Sequence, residues 1–307
     1  MPSKTLIVIT GPTAVGKTNV ALHIAEHFNT EIISADSRQI YKEFEIGTAK
    51  PTFEELGRIK HHFINTHSIE QPYDAGAYGR DALMLIHALF KKLNILILCG
   101  GSGLYIKAVL EGFDAMPAIP QGMREQIIAE HESKGLPWLQ QELKEIDPDY
   151  FAQVDINNPH RLIRALELFR ASGQKASLLR AKEKRKHEFE IIKIGLEMDR
   201  DQLNVRINAR MDTMIEKGLF EEAEKFFPHR HLNALQTVGY REIFDFMEGR
   251  VNKEESIRLL KRNTRRYAKR QLTWFKRDTE IHWFKPEQVE EIIDYVGSVM
   301  QRQKLKD

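Results

Sequence analysis

The sequence predicts an α/β fold built on a parallel sheet and interrupted by a block of helices. Two observations carry that expectation. Short runs that are apolar throughout, as strands buried on both faces require, each lead through a glycine turn into a helical pattern. The pattern then changes character at Gly112, after which Pro117 and Pro120 punctuate a stretch that reads as helical to about Ser172. Strand, glycine turn and helix, repeated, indicates a core of parallel βαβ units.

The first strand is the apolar run from Leu6 to Thr10. The helix after it places Ala21, Leu22, Ile24, Ala25 and Phe28 at helical spacing. Residues 31–34 read as a second strand. A long helix starts near Asp74, a good N-cap, and runs through Leu83, Ile86, Leu89 and Phe90. Residues 94–99 are a third buried strand, leading into Gly100, Gly101 and Ser102 and another helix. Residues 113–189 are expected to form a helical insertion, broken at Gly135-Leu-Pro137 and Asp147-Pro148 and closed by a polar loop over residues 180–188. Residues 191–194 restore a strand. The remainder reads as helical, ending in a basic helix from about Lys253 to Arg277. The expected domains are therefore a core of residues 1–112 and 190–307, and an insertion of residues 113–189.

The 307 residues are 42% hydrophobic and 29% charged, the balance of a soluble globular chain with a core that needs no staples. One cysteine, Cys99, excludes an internal disulfide and a cysteine-rich zinc site. The apolar run near the N-terminus is too short for a signal peptide or a membrane span, so a cytoplasmic protein with no membrane partner is expected. Net charge is only +2, but residues 257–277 hold nine Lys or Arg and no Asp or Glu. Most charge runs are solvated faces, yet nine like charges burden an isolated helix, and a stripe of this kind fits a phosphate backbone.

Gly11, Pro12, Thr13, Ala14, Val15, Gly16, Lys17 and Thr18 fit the pattern G-x-x-x-x-G-K-[ST], between a buried strand and a helix. This is a P-loop. Its glycines turn backbone N–H groups toward phosphate oxygens, and the helix N-terminus adds partial positive charge. Lys17 brings a full charge, and the Thr18 hydroxyl suits Mg²⁺. The motif specifies a diphosphate and attracts an ATP-binding label, but it is silent on what the phosphates carry. The strand ending at Cys99 lacks the terminal Asp of a Walker B strand, and no Asn-Lys-x-Asp guanine motif occurs. A small-molecule kinase needs neither feature and stays open, whereas a nucleic-acid-binding ATPase with no transfer chemistry is disfavoured. Asp36 follows the second strand, on the sheet edge that carries the P-loop. Its carboxylate could order a Mg²⁺ shell or accept a proton from a nucleophile, or merely cap a turn with Ser37 and Arg38. The adjacent His61 and His62 point apart on any regular element and read as structural.

Taken together the motifs resemble the tRNA dimethylallyltransferase family, in its bacterial form. The P-loop matches, as do Asp36-Ser-Arg-Gln-Ile-Tyr41 and Ile46-Gly-Thr-Ala-Lys-Pro51. Gly100-Gly-Ser-Gly-Leu-Tyr105, Asn158 to Glu167, Gln236 to Arg241 and Ala268 to Phe275 follow in the family's order. The resemblance covers residues 5 to about 284. It implies transfer of the dimethylallyl group from dimethylallyl diphosphate to the exocyclic amine of the adenosine 3′ of the anticodon, with release of pyrophosphate. It implies Asp36 as general base, Lys17 and Thr18 on the diphosphate with Mg²⁺, and an arginine clamp from either Arg206 or Arg210, one helical turn apart. It implies a flipped adenosine in a channel. The anticodon stem-loop would be met by Asp36, Ser37, Arg38, Gln39, Ser102, Arg124, His160, Arg161, Leu162, Ile163, Arg164, Gln236, Thr237, Val238, Gly239, Tyr240 and Arg241. Around Arg124 the sequence departs from the family's usual approach, at residues 118–122. A monomer is expected.

Overall fold

The structure, a computed structural model, describes residues 4–113, 117, 119–120, 122–178 and 185–304. The chain divides into two compact units, Met1–Val109 with Lys186–Asp307, and Leu110–Arg185. Ala118, Gln121 and most of the polar loop expected at 180–188 lie outside the described residues.

The larger unit is built on six parallel strands. β1 (Thr5–Thr10) leads to α1 (Lys17–His27), and β2 (Ile32–Ser34) to α2 (Phe53–Arg58). β3 (His61–His62) and α3 (Ala75–Leu89) precede β4 (Ile95–Gly100) and α4 (Gly103–Leu110). The sheet order is β3-β2-β4-β1 and continues through β5 (Glu190–Leu196) to β6 (His282–Phe284). β1 is its centre, with Thr5 paired to Ile95 on one side and Glu190 on the other. All six β1 residues are buried, which is why its sequence is apolar throughout rather than alternating. In the parallel order, the chain leaves β1, β2 and β4 at the same sheet edge. That edge receives the P-loop, Asp36 and Gly100-Gly101 together.

Two strands escape a reading of periodicity because they are two and three residues long. In β3, the adjacent histidines turn to opposite partners: His61 Nδ1 lies 2.8 Å from the Ile59 carbonyl, and His62 Nε2 lies 2.6 Å from Glu31. Burial lowers the His61 pKa. Asp74 caps α3 as expected, accepting the Ala77 N–H at 2.8 Å.

After the smaller unit's helices α5 (Met123–Lys134), α6 (Leu136–Ile146), α7 (Pro148–Phe151) and α8 (Pro159–Ser172), the chain returns to β5. The breaks at Gly135 and Asp147-Pro148 both fall between helices, and Asp147 caps α7. This unit has its own core of Ile127, Leu139, Leu143, Leu162, Ile163, Ala165, Leu166 and Leu168. The larger unit continues with α9 (Arg200–Glu216), α10 (Leu219–Phe226), α11 (Tyr240–Met247), α12 (Lys253–Phe275) and, after β6, α13 (Val289–Lys304). No helix among the described residues is long and apolar enough to cross a membrane.

Candidate active site

The phosphate loop owes its path to three residues with positive φ. Gly11 has φ 151°, and a side chain there would meet the Leu196 carbonyl oxygen of β5 at 2.7 Å. Ala14 and Gly16 have φ of 65° and 109°. Gly16 occupies the N-cap of α1 with no side chain capping the helix, which leaves the first N–H groups uncapped for a ligand. Lys17 bends back, and its Nζ donates to the carbonyls of Gly11 at 3.0 Å and Pro12 at 2.8 Å. Burial pulls the Lys17 pKa down to about 8, with Arg210 adding to the fall while Cys99 and Asp36 oppose it. Burial also lifts the Cys99 thiol to about 11, so it stays a thiol at neutral pH.

Arg210 of α9 reaches the same loop. Its Nη1 donates to Thr13 Oγ1 at 3.3 Å, and its Nε is buried with no hydrogen-bond partner among the described residues. Burial lowers its pKa. Two desolvated cations and an orphaned donor make a poor protein interior but a good seat for an anion. Arg206, one turn earlier, is exposed and also lines the cavity. The cavity holds about 440 Å³. Thr13, Lys17, Thr18, Asp36, Arg206 and Arg210 all border it.

Asp36 is fixed through one oxygen. Its Oδ1 accepts the backbone N–H groups of Arg38 at 2.9 Å and Gln39 at 3.3 Å. The turn-capping and cavity-facing readings thus hold at once: the cap orients a carboxylate that borders the cavity. Ser102 Oγ takes the Ser37 N–H at 2.9 Å, and Ser102 N–H donates to the Ala35 carbonyl. That packing needs Gly100, where a Cβ would lie 2.1 Å from the Ala35 oxygen. Gln39 donates to the carbonyls of Thr48 and Ala49, tying a second wall of the cavity to the first.

Two residues that the sequence did not single out organise these walls. Glu222, buried on α10, accepts the N–H groups of Glu45, Ile46 and Gly47 and the Tyr240 hydroxyl, all within 3.0 Å. Gln271, buried on α12, accepts the Thr13 N–H and donates to the Gly101 carbonyl, both at 2.8 Å. A signal for Gln271 does exist. It falls at helical spacing with Leu260, Thr264, Ala268 and Phe275, on the inward face of a basic helix where a large polar side chain needs partners.

Some residues expected to face RNA are core residues instead. Leu162 and Ile163 are buried among the apolar side chains of the helical unit. Tyr240 is 0% exposed and its hydroxyl is held by Glu222. Their segments are helical, and these members fall on the inward face. Gly239 is also buried, at φ 112°, but with Thr237 and Val238 it borders the cavity. Arg38 and Gln39 line the cavity as well, while Gln236 and Arg241 are exposed. In the helical unit, His160, Arg161, Arg124 and Arg164 are exposed. Arg124 and Arg164 hold one oxygen each of the buried Glu167 carboxylate, at 2.8 Å and 3.1 Å.

The basic helix α12 is less bare than its sequence. Arg258 pairs with Glu255, Lys261 with Asp212 and Lys276 with Glu197. Arg265 is tied to Asn208. Arg266, Lys269 and Arg270 remain exposed with no acidic partner among the described residues. Tyr267 lines the cavity, Phe275 is core, and the Trp274 indole packs where a side chain on Gly103 would stand. No group of three metal-ligating His, Cys, Asp or Glu side chains occurs among the described residues.

This arrangement has relatives. Residues 39–278 match the IPP transferase family. The tRNA dimethylallyltransferase of Cytophaga hutchinsonii is 48% identical over 97% of this chain and 98% of its own. The crystal structure of the full-length tRNA isopentenylpyrophosphate transferase of Bacillus halodurans superposes with a TM-score of 0.73 at 36% identity, covering 99% of both chains. A eukaryotic dimethylallyltransferase captured acting on tRNA has a TM-score of 0.76 at 26% identity, over 92% of this chain and 74% of that one. The kinase alternative finds no support in these likenesses, and the chain belongs to the IPP transferase family, that of the tRNA dimethylallyltransferases.

Proposed function

We propose that this enzyme transfers the dimethylallyl group of dimethylallyl diphosphate to the exocyclic amine of the adenosine 3′ of the anticodon in tRNA. The observation that carries the reading is one cavity bordered by two desolvated cations, Lys17 and Arg210, and one oriented carboxylate, Asp36. The cations suit a diphosphate and the carboxylate suits a nucleophile that must lose a proton.

The amine nitrogen attacks the first carbon of the donor. The N–C bond forms as the C–O bond breaks, and the electron pair leaves on pyrophosphate. Lys17, the P-loop N–H groups and Arg210 hold the oxygens on which that charge grows, with donors already in place before reaction. Arg210 is the better clamp of the two arginines, because it is half-buried and tied to Thr13, with its buried Nε unspent. Asp36 takes the amine proton on the oxygen that Arg38 and Gln39 leave unoccupied. The Thr18 hydroxyl fits Mg²⁺, an ion that accepts one or two protein oxygens and fills its shell with phosphate and water. Such an ion would neutralise charge on the diphosphate. The RNA phosphates would meet Arg266, Lys269 and Arg270, and the helical unit would offer Arg161, Arg124 and Arg164.

The test is single-turnover transfer from labelled dimethylallyl diphosphate to unmodified tRNA. Asp36→Asn is expected to slow transfer by roughly 10²- to 10⁴-fold while tRNA binding survives. Wild-type transfer rates in that variant would remove Asp36 from the chemistry. ATP consumption independent of tRNA would instead favour a kinase.

A further inference from the structure

One face of α9 changes from charged to apolar along its length. Arg206, Arg210 and Met214 recur every four residues, so they share a face at steps of about 6 Å. All three border the cavity that contains the P-loop, joined at the apolar end by Met211 and Leu219. A donor whose diphosphate rests on Arg210 and Lys17 is thereby given a direction, with its head at the arginines and its hydrocarbon toward Met214.

Met214 also has a second neighbour. Together with Arg210, Ala49 and Pro51 it borders another cavity, of about 640 Å³, whose remaining apolar lining includes Ile46, Phe53 and Leu56. The four shared residues form the wall between the two spaces. Arg210 is committed to Thr13, and Ala49 and Pro51 have short, stiff side chains. Met214 is the long apolar side chain in that wall, and it is 6% exposed.

We propose that Met214 closes the hydrocarbon end of the donor site and so sets the prenyl length the enzyme accepts. Five carbons fit on the P-loop side of the wall, and a ten-carbon chain must pass through the position of the Met214 side chain. The second cavity, within the size range of small-molecule sites, is then the space a longer chain would enter once that side chain is removed. Methionine is unbranched and yields more readily than a β-branched residue, so some passage of longer donors by the unaltered enzyme is part of the same picture. The chemistry would not change with chain length. The amine nitrogen bonds the first carbon, the C–O bond breaks onto pyrophosphate, and the proton goes to Asp36.

This inference rests on the prenyl-transfer reading, and a competition experiment separates the two. The protein, unmodified tRNA and Mg²⁺ are incubated with dimethylallyl and geranyl diphosphate at equal concentration, and the modified nucleosides are quantified by mass spectrometry. The product ratio does not depend on how much enzyme is active. Met214→Ala is expected to raise the geranyl-to-dimethylallyl ratio by about tenfold or more, the usual worth of a few carbons' fit in an apolar pocket. Met214→Val, a smaller truncation for a core position, is expected to move the ratio in the same direction by less. A folded Ala or Val variant that transfers dimethylallyl with the wild-type ratio overturns the proposal. Wild-type protein that transfers no prenyl group at all would overturn the proposed function instead.

Discussion

Gln271 accepts the backbone N–H of Thr13 at 2.8 Å, so a helix near the C-terminus holds a loop near the N-terminus in shape. The same amide donates to the Gly101 carbonyl and closes the β4–α4 turn. Gln271→Leu leaves both backbone groups unpaired, at about 1–3 kcal/mol for the buried Gly101 carbonyl and less for the half-buried Thr13 N–H. We expect a lower melting temperature together with a KM for dimethylallyl diphosphate raised about tenfold and a KM for tRNA little changed. Steady-state kinetics with each substrate varied in turn checks this. A destabilised variant with a wild-type donor KM would make Gln271 a fold residue only.

Glu222 gathers three backbone donors and the Tyr240 hydroxyl on one buried carboxylate. Burial and that neighbouring carboxylate raise the Tyr240 pKa, which keeps the hydroxyl a donor. Tyr240→Phe removes one donor of the four and should cost about 1 kcal/mol. Glu222→Leu strands the N–H groups of residues 45–47 and should cost well over that. Urea titration of both variants checks the order. Equal losses would mean that the loop finds other acceptors.

Lys17 gives the site a pH dependence. Its pKa is about 8 in the folded protein against an ordinary 10.5, so the empty site loses this charge as pH rises through about 8. The unfolded chain keeps the proton to higher pH, so this group's contribution to stability rises between the two values. A bound diphosphate favours the ammonium. Donor affinity should therefore weaken above about pH 8, with net proton uptake on binding. Calorimetric titration with dimethylallyl diphosphate at pH 7.5 and at pH 9, each in two buffers of different ionisation enthalpy, would show it. Lys17→Met should bind weakly at both pH values and lose the Lys17 contribution to uptake.

Arg266, Lys269 and Arg270 are exposed cations of α12 with no acidic partner among the described residues. Reversing the three to Glu should weaken tRNA binding and flatten its salt dependence by about one unit of slope per lost phosphate contact. Reversing Arg258 and Lys276, which already hold acids, should do less. Binding isotherms at several salt concentrations compare the sets. An unchanged slope in the triple variant would make the helix a solvated face.

Much of this was legible in the residues. β1 and β4 read as strands because they are apolar throughout, and the P-loop read as a phosphate loop because its spacing and flanking elements agree. Asp74 announced a helix start by its side chain, and Asp147-Pro148 read as a break that the structure places between two helices. What could not be read depends on which face of an element turns inward. Glu221 and Glu222 are adjacent and alike in sequence, yet Glu222 is buried under four donors while its neighbour is exposed. Tyr240, Leu162 and Ile163 lie in segments of matching residue type but on the buried side of their helices. The acid-free stretch of α12 gains acids from distant positions, Asp212 and Glu197, that local charge counting cannot supply.

The central position of β1 also has a meaning for synthesis. One of its edges is filled by β4, but the other waits for Glu190 and its successors, made only after the whole helical unit has been translated. The nascent sheet therefore carries an open, apolar strand edge through that interval, while the helical unit, with a core drawn only from its own residues, has all it needs to collapse. Completion of the phosphate-binding edge is thus a late event on the ribosome, since α9 and α12, which hold the loop from the other side, emerge later still.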